Sequence, residues 1–128
     1  MGEKREQRAV DRIRIPGAVV VFKKRNKFGL FERQSKPMQL YNINKSGLCF
    51  ESDKHMNYGD SFAVDILIPG EENIRLLGNV RWMDQKYTNN FCRIGAQFHA
   101  FGKGRNYNTI KSLERLRELH NKYLDKEE

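Results

Sequence analysis

Residue types that often organise a small protein are scarce here. Only two cysteines occur, Cys49 and Cys92, each alone in an apolar run and without CxxC or other metal-ligand spacing. That argues against a disulfide-stapled scaffold or a cysteine zinc site, and two reduced core thiols are expected. The three histidines (His55, His99, His120) are scattered and form no HExxH pattern, so neither a metal site nor histidine catalysis is expected. The longest apolar stretch, Ala18 to Phe22, has five residues, far short of the ~18 of a membrane span. The N-terminus lacks the apolar segment of a secretory signal, and Glu6 stands where a myristoylation motif prefers Ser or Thr. There is no GxGxxG or P-loop and no supported carboxylate pair. The expectation is a non-enzymatic, cytoplasmic protein with no metal, no redox cofactor and no membrane span.

Charge is plentiful and unevenly placed. The 128 residues carry 24 Lys and Arg against 16 Asp and Glu, a net charge of +8. Residues 1–33 hold ten basic side chains and four acidic ones, and the other 95 residues hold 14 and 12. A basic N-terminal arm on a nearly neutral body points to an anionic partner such as nucleic acid, a nucleotide or a membrane surface. Residues 1–14 read as polar and outside the core, and the domain divides into an arm (1–15), a barrel (16–105) and a C-terminal helix (106–125).

The body reads as short strands. Ala18–Phe22 is a β-branched and aromatic run after the Pro16-Gly17 break. Phe28, Leu30 and Phe31 are candidates for a further strand segment. Met38–Tyr41 and Leu48–Phe50 flank a stretch rich in turn formers, residues 42–47 (NINKSG). Ser61–Ile68 alternates strictly, and Ile74–Met83 places Leu76, Gly78, Val80 and Trp82 on one face. Residues 84–90 read as a hairpin loop before Phe91–Phe98. Beyond Gly104 the period changes: Ile110, Leu113, Leu116, Leu119 and Tyr123 mark an amphipathic helix, with Asn106 or Asn108 as its cap. The order implies a small antiparallel barrel or sandwich closed by one helix. The helix stripe is expected to pack on its own barrel, giving a monomer.

Two motifs carry chemistry. Arg8-x-x-x-Arg12 sets two guanidiniums before the first strand, and arginine suits two-pronged bonding to phosphate or to a guanine edge. Asn42-x-Asn44-x-x-Gly47 supplies side-chain amides and backbone N–H groups able to read a base, with Gly47 giving either positive φ or close backbone approach. Read alone, the first is an ordinary solvated arm and the second an ordinary turn.

Together they resemble the signature of the PilZ domain family, Arg-x-x-x-Arg followed about 30 residues later by [Asp/Asn]-x-Ser-x-x-Gly. Gly78-Asn79-Val80-Arg81-Trp82 resembles the family's Gly-x-Val-x-Trp strand, and Arg93–Phe98 its closing strand. The resemblance implies a six-stranded antiparallel β-barrel with a C-terminal helix that binds the bacterial second messenger cyclic di-GMP. It makes Arg8 and Arg12 the phosphate and guanine clamp, and Asn42, Asn44 and Gly47 the turn that reads a guanine. Trp82 is placed either beside a base or in the barrel core. Asn44 departs from the pattern, standing where the motif has serine; Ser46 does not fill that slot. Ligand-driven ordering of a flexible arm, passed to an unidentified protein partner in motility, biofilm or virulence machinery, is the expected signal. The competing readings are a PilZ-like adaptor without ligand, a nucleic-acid-binding small barrel, and a flavin-type split barrel. The nucleic-acid reading is disfavoured because most aromatics fall on the apolar phase of their strands.

Overall fold

Alternation of apolar and polar residues builds six strands in the computed structural model, which describes residues 12–85 and 91–124. The strands are β1 (Val19–Lys24), β2 (Met38–Ile43), β3 (Gly47–Ser52), β4 (Ser61–Leu67), β5 (Ile74–Gln85) and β6 (Cys92–Phe98), followed by helix α1 (Ile110–Leu124). They close into an antiparallel barrel in the order β1-β2-β3-β6-β5-β4, with β1 pairing β4 from Val19↔Leu67 to Lys24↔Phe62. Closure leaves no free sheet edge. Inward residues fill the interior: Phe22, Val20, Phe50, Phe62, Val64, Ile66, Leu76, Val80 and Ile94 are all fully buried. The Phe22, Phe50 and Phe62 rings pack in series, with centroids 5.2 and 5.6 Å apart, within the favoured range for tilted and edge-on pairs.

Four expectations need correction. Ile13, in the stretch read as outside the core, is buried and hydrogen-bonds Ile43 in both directions (2.9 and 3.0 Å). One isoleucine among charges is a weak pattern, but it is enough to anchor the chain on β2. Phe28, Leu30 and Phe31 form no strand; they belong to a tight loop closed by an Arg25–Phe31 bridge. Asn42, read as part of the turn, lies within β2 opposite Cys49. The helix is capped by neither Asn106 nor Asn108. Thr109 Oγ1 instead accepts the Ser112 N–H at 3.1 Å, the N-cap geometry.

Asn108 has a different task. It is buried, its Oδ1 accepts the Leu77 N–H (2.7 Å), and its Nδ2 donates to the carbonyls of Leu77 (3.0 Å) and His99 (3.1 Å). It therefore ties the segment after β6 to β5 at Leu77. At about 1 kcal/mol net for each of these bonds, with orphaned buried groups left behind, Asn108→Ala should cost roughly 3 kcal/mol. A denaturant midpoint equal to that of the wild type would contradict this.

Helix α1 buries Leu116, Leu119 and Tyr123. Glu71, in the β4–β5 turn, holds it: Lys122 and Tyr123 donate to its Oε2 and Arg115 to its Oε1. The Lys122 bond above all holds the Glu71 carboxyl below its ordinary pKa. Its contribution is thus fully present above the unfolded value of about 4.3 and is lost as the pH falls through the lower folded value. The stability difference between wild type and Glu71→Gln should narrow below about pH 4; a difference unchanged down to pH 2 would exclude this role for the carboxylate.

Candidate functional site

A depression of about 360 Å³ opens on the outside of the barrel where β3, β5 and β6 meet the β2–β3 turn. Its size is within the ordinary range for small-ligand sites. Arg12, Asn44, Ser46, Gly47, Arg81, Trp82 and Gln97 line it, with Cys49, Gly95 and Ala96 in its floor.

Each wall has a local cause. Ile13 is fixed on β2, so its neighbour Arg12 is delivered to the rim. The turn is built by Asn44: its Oδ1 accepts the N–H groups of Ser46 (2.7 Å) and Gly47 (3.0 Å), and its own N–H bonds the Gly47 carbonyl (2.9 Å). This is an Asx-type turn, which a serine hydroxyl forms more weakly. Asparagine in the serine slot therefore keeps the turn. Gly47 is required for close approach rather than positive φ: a Cβ there would sit 2.0 Å from the Ala96 carbonyl oxygen.

Trp82 is the residue whose placement departs furthest from simple alternation. A register shift between Val80 and Trp82 in the β5–β6 pairing breaks the phase, so the indole turns out of the core and is 41% exposed. It lies across Gly95, directly opposite on β6, where a Cβ would meet the ring at 2.1 Å. The Gly-x-Val-x-Trp strand and the glycine of the closing strand are thus one unit. The small residue makes the bed on which the ring lies, and the bulge turns the ring outward.

Sequence reasoning missed Arg81. It is exposed on the outward phase, the bulge sets Trp82 beside it, and its Nη1 donates to Gln97 Oε1 at 2.6 Å. Gln97 is neutral, so this bond orients the guanidinium without cancelling its charge. An arginine on the outward phase, next to an unusually placed tryptophan, was the available signal.

Of the site residues expected from sequence, Arg12, Asn44, Gly47 and Trp82 converge on this depression. Asn42 does not. It lines a neighbouring hollow with Arg14, Tyr41 and Arg93, where the Arg93 guanidinium lies 4.2 Å over the Tyr41 ring. Its Oδ1 is buried with no hydrogen-bond partner among the described residues. Cys49 borders both hollows. Burial pushes its thiol up, with the Arg93 and Arg12 charges opposing, which leaves it protonated near neutrality and a poor nucleophile. Arg8, with residues 1–11 of the expected flexible arm (1–15), lies outside the described residues. So do Tyr87 and most of the 84–90 loop.

The aromatic argument against nucleic acid also needs revision. Phe28 (77%), Phe31 (41%) and Trp82 (41%) are exposed rather than core. Among the described residues, no group of three His, Cys, Asp or Glu side chains could hold a metal, and no helix is long and apolar enough to cross a membrane.

The PilZ domain family model matches residues 5–113. Among solved structures, K. pneumonia MrkH in its apo state aligns with a TM-score of 0.64 at 11% identity, over 90% of this chain and 48% of that one. The Bacillus subtilis inhibitor of motility (MotI/DgrA) aligns at 0.58 and 15%, over 88% and 52%. The chain spans about half the length of these two proteins, and at such identities the likeness is one of fold. No curated protein matches the sequence.

Proposed function

The chain belongs to the PilZ domain family, and from that premise we propose that it is a receptor for cyclic di-GMP, bound in the depression lined by Arg12, Asn44, Gly47, Arg81 and Trp82. The observation that carries this reading is the convergence of two guanidiniums, a built turn and an exposed indole face on one hollow. The ligand has two phosphates and two guanines. Guanidiniums suit the phosphates and the O6/N7 edge of guanine, and an indole laid flat suits stacking on a base. Arg8, four residues before Arg12, supplies a further cation when the N-terminal segment meets the ligand. The depression requires no covalent chemistry: its residues bind and orient. Engagement of residues 1–12 would alter the surface offered to a protein partner, which is how binding becomes a signal.

Trp82 is the chain's single tryptophan, so emission excited selectively in the indole, away from the five tyrosines, reports on the site. Cyclic di-GMP should change its emission saturably at micromolar or lower concentration, with GTP far weaker. A flat titration of folded protein would instead favour the ligand-free adaptor reading.

A further inference from the structure

The loop between β1 and β2 lies at the barrel end opposite the β2–β3 turn, since β2 runs from one to the other. It is a built structure. Asn26 Oδ1 accepts the N–H groups of Phe28 (2.9 Å) and Leu30 (3.1 Å). Asn26 N–H bonds the Leu30 carbonyl (2.7 Å), Gly29 N–H bonds the Asn26 carbonyl (2.9 Å), and Glu32 N–H bonds the Lys24 carbonyl (2.7 Å). Gly29 takes the left-handed conformation (φ 81°) that the apex needs. A turn this well satisfied usually carries polar residues at its tip. Here it holds out Phe28, 77% exposed, and Leu30, 65% exposed, with Phe31 behind them.

Around this tip positive charge predominates. Lys23, Lys24, Arg25, Lys27, Arg33 and Lys36 stand against Glu32 alone within residues 23–36. Lys24 is bridged to Asp60 (3.4 Å), whereas Lys27, Arg33 and Lys36 are exposed. The Arg25 guanidinium caps the Phe31 ring at 4.7 Å and the Lys27 ammonium lies 5.5 Å from the Phe28 ring centre.

We propose that residues 25–36 dock the barrel on an anionic lipid bilayer. Phe28 and Leu30 enter the headgroup–acyl boundary, and Lys27, Arg33 and Lys36 meet headgroup phosphates. Charge complementarity selects an anionic surface. Shape and side-chain type select lipid among anionic partners. Phe28 also borders a hollow with Lys24, Asp60 and Ser61, but Leu30 stands outside it and is held out at the tip, where an acidic protein would have to supply a matching groove. Leu30 is aliphatic and cannot stack on a base as a nucleic-acid contact would require. Apolar side chains at the front with cations behind form the pattern of an interfacial anchor. The depression lies toward the other end of the barrel, so both surfaces can be occupied together.

The test is flotation of the full chain with vesicles of phosphatidylglycerol and phosphatidylcholine in equal parts, against phosphatidylcholine alone. Binding to the anionic vesicles is expected, with at least a tenfold loss in the Phe28→Ser/Leu30→Ser double variant and little binding to the neutral ones. Both side chains are exposed, so the variant should melt like the wild type, and circular dichroism checks this. Absent binding, or binding that survives the double substitution, would overturn the proposal. So would equal binding to neutral vesicles, or Phe28-dependent binding of single-stranded oligonucleotides without vesicle binding. Loss only on Arg8→Gln/Arg12→Gln substitution would place the contact on the N-terminal segment, and would overturn it too.

Discussion

Arg12→Ala is expected to weaken cyclic di-GMP binding about 10- to 150-fold while leaving the barrel folded. The range follows from losing a hydrogen bond to a charged group, roughly 1.5–3 kcal/mol, at about 1.4 kcal/mol per decade of affinity. Arg12 lies on the rim, and its exposed side chain contributes little to the core. The neighbouring Ile13 makes the anchoring contacts with β2, and alanine at position 12 leaves them in place. Arg81→Ala should cost a comparable factor, because its guanidinium faces the same hollow and is oriented by Gln97. The double variant should lose less than the product if both cations meet one phosphate. An unchanged dissociation constant in Arg12→Ala, measured by calorimetry, would remove Arg12 from the site.

A stability loss as large as that of Asn108→Ala is expected from Gly47→Ala. The atoms its Cβ would meet are the Ala96 carbonyl oxygen at 2.0 Å, the Ala96 carbonyl carbon at 3.1 Å and Gln97 Cα at 3.3 Å. All belong to the backbone, so no side chain can swing aside. Relief requires β3 to separate from β6 at the Gly47↔Gln97 pair, beside the bond from Phe98 N–H to the Ser46 carbonyl (2.8 Å). Overpacking of this kind costs roughly 1–3 kcal/mol and occasionally more, and contact with a paired backbone belongs at the upper end. At about 4 °C per kcal/mol for a domain this size, the melting temperature should fall by roughly 10 °C. Ser46→Ala, in the exposed part of the same turn, should stay within about 0.5 kcal/mol of wild type. A Gly47→Ala variant melting with the wild type would mean that the two strands stand farther apart than the structure has them.

The barrel was legible because its strands obey a period of two where burial is one-sided. Ser61–Leu67 buries Phe62, Val64 and Ile66 in strict alternation, and such a pattern carries its own face. The site was less legible, because the features that make it are breaks in pattern. Alternation from Leu76 through Val80 puts Trp82 inside; a bulge, which depends on the partner strand, puts it outside. Arg81 is on the outward phase by alternation alone, which gave no reason to single it out; the bulge is what sets Trp82 beside it. Asn42 and Asn44 are two residues apart in one polar stretch, yet Asn42 belongs to the β2 ladder and Asn44 to the turn, so they serve different hollows. Asn108 was read as a cap from its place before a helix, and its actual bonds run to Leu77, 31 residues away. Local sequence does not encode that distance. The turn around Asn44 and Gly47 was visible because its chemistry is local, an acceptor side chain followed at three residues by glycine.

The central claim is that cyclic di-GMP sits on the Arg12, Arg81 and Trp82 face, and amide and indole chemical shifts recorded during a titration test it most directly. Saturable shifts should concentrate on the Trp82 indole N–H and on the amides of Gly47, Gly95, Ala96 and Gln97, with the 25–36 loop at the far end unmoved. A spectrum of folded protein that does not respond, or responds only at residues 25–36, would contradict the account.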